Sequence, residues 1–379
     1  MAAKNKLSNI MVFEGLAASL FLFVGTYVLA YYFLDYSIRH FFAVGSDPAK
    51  LIILAALFFL SVSFFISSLL SHLWDNAFTR GFYIFSGFWL GLFTYLIISS
   101  GLIWFFIWIF NLTDASVQVW SGIFFIISLA YIIYGTWNAF NPRIKNVEVK
   151  IKNLPSNWRG KKIVQLSDIH LGHVYRENFM EKVVRETNAL QPDIVVITGD
   201  LFDGMDGNLH DFVAPLNDLQ APRGIYFITG NHETYLGVEK SSELLRQTKV
   251  RILDDEVRNI DGLQLIGISY PERGESKDVA QTVRSLKDFD PEKPSVLLYH
   301  SPVNISEIEK TGVNLELCGH THKGQIVPFG FVTKAVYRGY DYGLHTNGNF
   351  SVYTTTGVGT WGPPARTGNS PEIVRVILR

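Results

Sequence analysis

The sequence predicts two fold classes in one chain: an all-α transmembrane bundle over residues 1–140 and an α/β (α+β) domain over residues 163–379, joined by a basic linker and hairpin over residues 141–162. Three observations carry this. Only ten charged side chains fall in residues 1–140, against 57 in residues 141–379. Four apolar stretches before Pro142 reach the roughly 20 residues that a helix needs to cross a hydrocarbon core. After Pro142 short β-branched runs alternate with helical periodicity, the pattern of a sheet with helices outside it.

The four predicted spans cover residues 10–34, 49–74, 81–110 and 116–140. The first is too long, and lacks a small-residue cleavage site behind a short apolar core, so it reads as an anchor rather than a removable signal. The third is long enough that it must tilt or run past the interface. Trp74, Trp104, Trp108, Trp120 and Trp137 cluster near span ends, where an amphipathic indole suits the headgroup region. Glu14 is the acidic side chain set inside a span, and its place within a turn of the interface favours an interfacial or helix-pairing role over an ion path. Lys4, Lys6, Arg80 and the basic run from Arg143 to Lys162 share one side, whereas Arg39 and Lys50 lie on the other. The positive-inside rule therefore predicts that both termini, and the soluble domain, face the cytoplasm.

In the soluble part, Val147, Val149 and Ile151 alternate with polar residues as a half-buried strand requires, and Leu154-Pro155 turns the chain into a second run over residues 162–166. Together these predict a hairpin leading into the sheet. Phe179, Val183 and Leu190 have helical spacing, as do Leu209, Phe212, Val213, Leu216 and Leu219. Runs at 194–197, 225–228, 263–268, 296–298 and 315–317 predict buried strands. The net charge of −1 shows no basic surface able to neutralise many phosphates, so a nucleic-acid partner is not expected. The single cysteine, Cys318, excludes an internal disulfide and reads as a small buried strand residue.

The chemistry lies in five motifs: Asp168-Ile-His170, Gly199-Asp200-Leu-Phe-Asp203, Gly230-Asn231-His232-Glu233, His300, and Gly319-His320-Thr-His322. Each closes a buried run, so they are expected to gather along the carboxyl edge of the sheet, where α/β sites form. The glycines at 199, 230 and 319 are read as letting the backbone turn sharply before each ligand. Oxygen and imidazole donors in this number suit two divalent metals clamping a phosphoryl displacement by an activated water. A carboxylate can reach both ions and an imidazole cannot, so Asp200 is the expected bridge. Asp168, His170 and His322 would complete one site, and Asn231, His300 and His320 the other. The mixed donors favour Mn, Fe or Zn over Mg. His232, beside a ligand, is left free to contact a phosphoryl oxygen or protonate the departing alkoxide, which makes it and Asp200 the catalytic candidates. Glu233 or Asp203 could orient an imidazole, although a helix N-cap before Leu209 explains Asp203 as well. His173 and Lys323 border the motifs, where contact with substrate phosphate competes with ordinary loop roles. Without metal, the domain would have to bury several unpaired carboxylates and imidazoles together.

In these motifs residues 145–379 resemble the calcineurin-like metallophosphoesterase superfamily. The likeness to its bacterial membrane-associated members is carried by Ser167-Asp-Ile-His-Leu-Gly172, by Gly319-His-Thr-His-Lys-Gly-Gln325, and by the tail from Gly357-Val-Gly-Thr to Pro371-Glu-Ile373. The resemblance implies a four-layer sandwich of two mixed β-sheets flanked by helices, with the ligand roles given above. Lys323 departs from the glycine often found at that place. The implied activity is hydrolysis of a phosphomonoester, phosphodiester or pyrophosphate at a membrane. Tethering favours a lipid-linked or membrane-proximal substrate, because it raises the effective concentration of molecules sharing the surface. The alternative is a membrane sensor or scaffold that binds a phosphorylated ligand without turnover, for which a complete ligand set would be superfluous. A transporter with an attached regulatory enzyme has only Glu14 behind it.

Overall fold

The computed structural model describes residues 24–204 and 209–379. Glu14, Lys4, Lys6 and part of the first predicted span lie outside the described residues. Two units divide the chain, one taking residues up to Ile66 with Trp89–Ile132, the other Ser67–Phe88 with Ile133–Arg379.

Four helices come first: α1, described over residues 24–41, then α2 (Asp47–Leu73), α3 (Ala77–Phe110) and α4 (Asp114–Ala139). Among the described residues α2, α3 and α4 are each long and apolar enough to cross a membrane. The prediction ends the first span at Leu34, but α1 continues to residue 41. Asp35 and Arg39 form an ion pair one turn apart on it, and the Ser37 hydroxyl accepts the Trp104 indole N–H at 3.0 Å. Within the first unit, hydroxyls pair between the helices: Tyr27 donates to the Ser61 carbonyl at 2.7 Å, and Ser99 meets Ser128 at 2.8 Å. Apolar side chains such as Leu51, Phe58, Phe105 and Ile126 stay exposed. This inversion, small polar groups inside and apolar ones outside, is what a bilayer solvent selects.

The second unit is built on two six-stranded mixed sheets. Sheet one runs β1 (Arg143–Val149), β12 (Glu372–Leu378), β2 (Lys162–Leu166), β3 (Ile194–Thr198), β4 (Ile225–Ile228), β5 (Val250–Ile252). Sheet two runs β10 (Gly343–Asn347), β11 (Phe350–Thr354), β9 (Leu315–Cys318), β8 (Ser295–Leu298), β7 (Leu263–Gly267), β6 (Glu256–Ile260). Period-two alternation decides which side chains meet. Ile163, Val196 and Ile228 pack inward against Leu265, Leu298 and Leu317 of the facing sheet. Their neighbours Val164, Val195, Ile197 and Phe227 point outward to α5 (Glu177–Ala189), α6 (Leu209–Val213) and α8 (Val238–Leu245). Ile266 and Leu297 of sheet two meet α9 (Val279–Ser285) and α10 (Ile305–Glu309). Strands buried on both faces read as continuous apolar runs, which is why they were visible in the sequence. The result is the four-layer sandwich of two mixed sheets flanked by helices.

The predicted hairpin is corrected. β1 and β2 do not pair; β12 lies between them, parallel to β1 and antiparallel to β2. The connection after Leu154-Pro155 is no tight turn but a 3-10 segment, Ser156–Trp158, whose buried indole donates to the Ile260 carbonyl at 2.9 Å. That detour leaves room for a strand between the two runs.

Candidate metal centre

The carboxyl ends of five strands converge. Asp168 and His170 follow β2, Asp200 follows β3, and Asn231, His232 and Glu233 open α7 (Asn231–Leu236) after β4. His300 follows β8, and His320 and His322 follow β9. All seven expected ligands come together, in overlapping groups whose donor atoms lie within 4.8 Å of one another: Asp168, His170 and His322; His170, Asp200 and His232; Asp200, His300 and His320. Asn231 Oδ1 joins the last group at 3.1 Å from His300 Nε2. Asp200 and His170 each belong to two of the three, and of these only the Asp200 carboxylate has two oxygens to offer.

Five of these residues have left-handed backbone: Asp168 (φ 51°), His170 (54°), Asp200 (50°), His320 (71°) and His322 (47°). Each such conformation costs about 1–3 kcal/mol and persists only where its surroundings fix it. Here the loops are stitched together: Asp168 N–H donates to the Gly199 carbonyl and His170 N–H to the Asp200 carbonyl, both at 3.1 Å. The tail adds Val358 N–H to Ser167 O and Gly359 N–H to Asp168 O, each 2.8 Å. The reading of the three glycines needs correction. Only Gly199 has positive φ (88°); Gly230 sits at −106°. What Gly230 and Gly319 supply is space, since an added Cβ would fall 2.2 Å from Asp200 Oδ1 at the first and 2.0 Å from Ser167 Oγ at the second.

Hydrogen bonds orient the rings. His300 donates from Nδ1 to the Thr198 carbonyl at 2.8 Å, which turns Nε2 toward Asp200 Oδ2 at 3.1 Å. Burial alone would lower the His300 pKa, but the Asp200 carboxylate outweighs it and pushes the imidazole up to about 10. Burial would likewise raise the Asp200 carboxyl, yet His300 holds it far below the carboxylate range. His170 Nε2 faces His322 Nε2 at 3.1 Å, and His320 Nδ1 faces His300 Nε2 at 3.2 Å. His232 has Nδ1 2.9 Å from the Asp203 carbonyl and its backbone N–H on Asp200 Oδ1.

The outer residues resolve differently from one another. Asp203, weighed against a helix cap, has Oδ1 3.4 Å from His170 Nδ1, close enough for an ion pair but without a hydrogen bond between them. Glu233 orients no imidazole: its buried carboxylate accepts the backbone N–H groups of Gly230 (2.6 Å), Asp200 (3.0 Å) and Phe202 (3.1 Å), tying the β3 and β4 loops together. Burial, with the charge of Asp200, pushes its pKa up to about 7. His173 does not reach the site. It is buried 3.8 Å from Asp75, with the Tyr83 ring 6.0 Å away. Lys323 lies with Nζ 4.2 Å from the centre of the Tyr342 ring.

Arg366 was not found by sequence reasoning. Fully buried, it donates to the carbonyls of Thr356 and Gly359, to Asn369 Oδ1, and from Nη2 to His322 Nδ1 at 3.0 Å. Its only signal was membership of the tail shared with the resembled family. Beside the donors opens a cavity of about 480 Å³, lined by Asp200, Asn231, His232, His320 and His322 on one side and by Tyr235, Ile326, Phe329, Tyr337 and Trp361 on the other.

Imidazoles and carboxylates converging at the carboxyl edge of a two-sheet sandwich define a divalent-metal site. A family model for calcineurin-like phosphoesterases matches residues 161–324. The chain is 34% identical over 259 residues to a metallophosphoesterase of Campylobacter jejuni, covering 67% of this chain and 68% of that one. It is 32% identical over 277 residues to a transmembrane protein with metallophosphoesterase domain of Danio rerio, covering 67% of this chain and 61% of that one. Among solved structures it is similar to a dimetal phosphatase from Danio rerio, with a TM-score of 0.35 and 12% identity over 53% of this chain and 88% of the other. The chain belongs to the calcineurin-like metallophosphoesterase family.

Proposed function

We propose that the protein is a membrane-anchored phosphoesterase that hydrolyses a phosphomonoester, phosphodiester or pyrophosphate with two divalent cations. The observation that carries this is the convergence of ring nitrogens on each other and on Asp200. His170 with His322, and His300 with His320, point ring nitrogens together at 3.1 and 3.2 Å. Nitrogen lone pairs so placed repel unless protons or cations lie among them, and buried imidazoles beside carboxylates are a ligand set for Mn, Fe or Zn. Asp168, His170 and His322 would hold one cation, Asn231, His300 and His320 the second, with Asp200 reaching both. Bound divalent cations supply a water of lowered pKa and charge stabilisation for phosphoryl displacement.

The chain's own groups do the remaining work. Thr198, Asp203 and Glu233 fix ring tautomers and loop positions, so the donors need little reorganisation. With Nδ1 committed to the Asp203 carbonyl, His232 has Nε2 available to substrate. Protonated there, it would donate to a phosphoryl or leaving-group oxygen. Burial, followed by the charge of His170, lowers its pKa, and an incoming phosphate acts in the opposite direction.

The test is protein in detergent, assayed with added Mn²⁺ and after chelation against p-nitrophenyl phosphate, bis-p-nitrophenyl phosphate and a lipid pyrophosphate. Metal-dependent turnover of at least one is expected. Metal binding with no turnover of any would favour the sensor or scaffold reading. We further propose a cytoplasmic active domain, from the basic run after α4. Protease added to sealed inside-out vesicles should then digest residues 145–379, and protection would place the domain on the other side.

A further inference from the structure

The helix α11 (Gly330–Val336) buries none of its residues. Phe331 is 79% exposed, Val336 65% and Val332 57%, and the patch continues through Phe329 and Val327. Trp361, 61% exposed, lines the same cavity as Phe329. A water-soluble domain does not ordinarily leave such a contiguous apolar patch open unless something covers it. Nothing in the packing of the sandwich accounts for it.

Two further observations say what covers it. The first is continuity with the membrane spans. The segment holding Pro364, Arg366 and Thr367 rests on α3 and α4, both long and apolar enough to cross a bilayer: a Cβ on Gly87 of α3 would meet Pro364 at 2.9 Å, and one on Gly135 of α4 would meet Thr367. Arg366 N–H donates to the Gly135 carbonyl at 2.8 Å, and the Asn138 amide caps the Arg366 carbonyl at 2.8 Å. The same segment holds the start of the apolar patch, because Val327 N–H donates to Thr367 Oγ1 at 3.2 Å. The patch is therefore tethered to α3 and α4 through Gly87 and Gly135, and Trp137, two residues beyond Gly135, is an exposed indole of the kind that suits a headgroup region. The second observation is continuity with the metal centre. Phe329 and Trp361 belong both to the exposed patch and to the wall of the cavity that His232 and Asp200 line. Lys334 and Arg338, exposed on the same segment, add the positive charge that anionic headgroups attract.

We propose that α11 and Trp361 form a lipid-docking surface: it lies in the headgroup region of the leaflet and receives the acyl chains of a phosphate-bearing lipid whose headgroup enters the cavity. This rests on the reading of the centre as a phosphoesterase and narrows its substrate to lipids drawn sideways from the bilayer. Ile326, Phe329 and Trp361 would line the passage from chain to headgroup. An apolar chain on one side of the scissile phosphate and metal donors on the other match the division of the cavity walls.

The test uses the full chain in phosphatidylcholine vesicles. Phe331→Cys, labelled with an environment-sensitive fluorophore, should be quenched by lipids carrying a shallow nitroxide, whereas a label at exposed Glu292 on the opposite edge should not. Cys318 is buried and does not compete for label. In parallel, long-chain phosphatidic acid should inhibit turnover of bis-p-nitrophenyl phosphate at least tenfold more strongly than its dibutyryl counterpart. Replacing Phe331, Val332 and Val336 together by serine should abolish that preference. An unquenched Phe331→Cys label, or equal inhibition by the two chain lengths, overturns the docking surface while leaving the phosphoesterase reading intact. Quenching without turnover of any ester instead removes the phosphoesterase reading and with it the substrate assignment, and leaves α11 as a membrane contact.

Discussion

The two sheets of the sandwich contribute unlike chemistry to one seam. Sheet one delivers Asp168, Asp200 and Asn231, every oxygen donor of the set, together with His170 and His232. Sheet two delivers only imidazoles: His300, His320 and His322. Each of the two expected metal sites crosses the seam, since Asp168 and His170 need His322, and His300 and His320 need Asp200; of the three donor groups only His170, Asp200 and His232 lies within sheet one. Packing of the sandwich and assembly of the centre are therefore one event, and metal binding should stabilise the fold as a whole.

The sharpest way to break this comparison is to remove one donor from each side. Asp200→Asn takes away the group shared between the two sites, so bound metal and turnover should both collapse, by more than the roughly 10–100-fold typical of an outer-shell change. His300→Ala takes one imidazole from sheet two and should leave one cation per chain where two are proposed for the wild type. Elemental analysis of purified protein distinguishes them; equal metal content in both variants would show that the sheets do not divide the ligands as described. A smaller effect is expected at His232, which is proposed to act on substrate rather than as a ligand. His232→Ala should keep its metal and lose about 10²–10⁴-fold in kcat. Loss of metal there would make it a ligand.

The smallest effect lies in sheet two, away from the centre. Glu316 in β9 is fully buried, and burial pushes its pKa from 4.5 up to about 8. Its folded pKa is raised, so the unfolded chain binds fewer protons between these values. Stability is then full below pH about 4.5 and falls as the pH rises toward about 8. The Tm difference between Glu316→Gln and wild type should grow in favour of the variant over that window, by roughly 2–4 °C for each kcal/mol. A difference independent of pH would show that the carboxyl is ionised throughout.

The sequence exposed the fold's inner strands because a strand buried on both faces must be apolar throughout, and it exposed the site because each motif interrupts such a run at its end. What stayed hidden depends on contacts far apart in the chain. The insertion of β12 between β1 and β2, the hold of Glu233 on three backbone N–H groups, and the Arg366 bond to His322 have no local signature. His173 and Lys323 show the converse: proximity to a motif in sequence says nothing about which way a loop carries the side chain. For Gly230 and Gly319 the residue type was informative but its cause was not, because lack of a Cβ answers equally to a turn and to a neighbouring carboxylate or hydroxyl. α11 was invisible for a different reason, being too short for its pattern to stand out between polar loops.

The place of β12 has a consequence for synthesis. As the chain leaves the ribosome, β2, β3 and β4 can pair in the order they are made, but β1 has no neighbour in sheet one until residues 372–378 appear. The strand directly behind the membrane helices thus waits unpaired while the whole domain is translated. Its sequence, Arg143-Ile-Lys-Asn-Val-Glu148, is charged and mostly exposed even in the finished fold, which suits an edge that must stand in water without recruiting another chain. The same late segment carries Gly359 to the Asp168 loop and Arg366 to His322. A nascent chain therefore reaches the bilayer long before it owns a working centre.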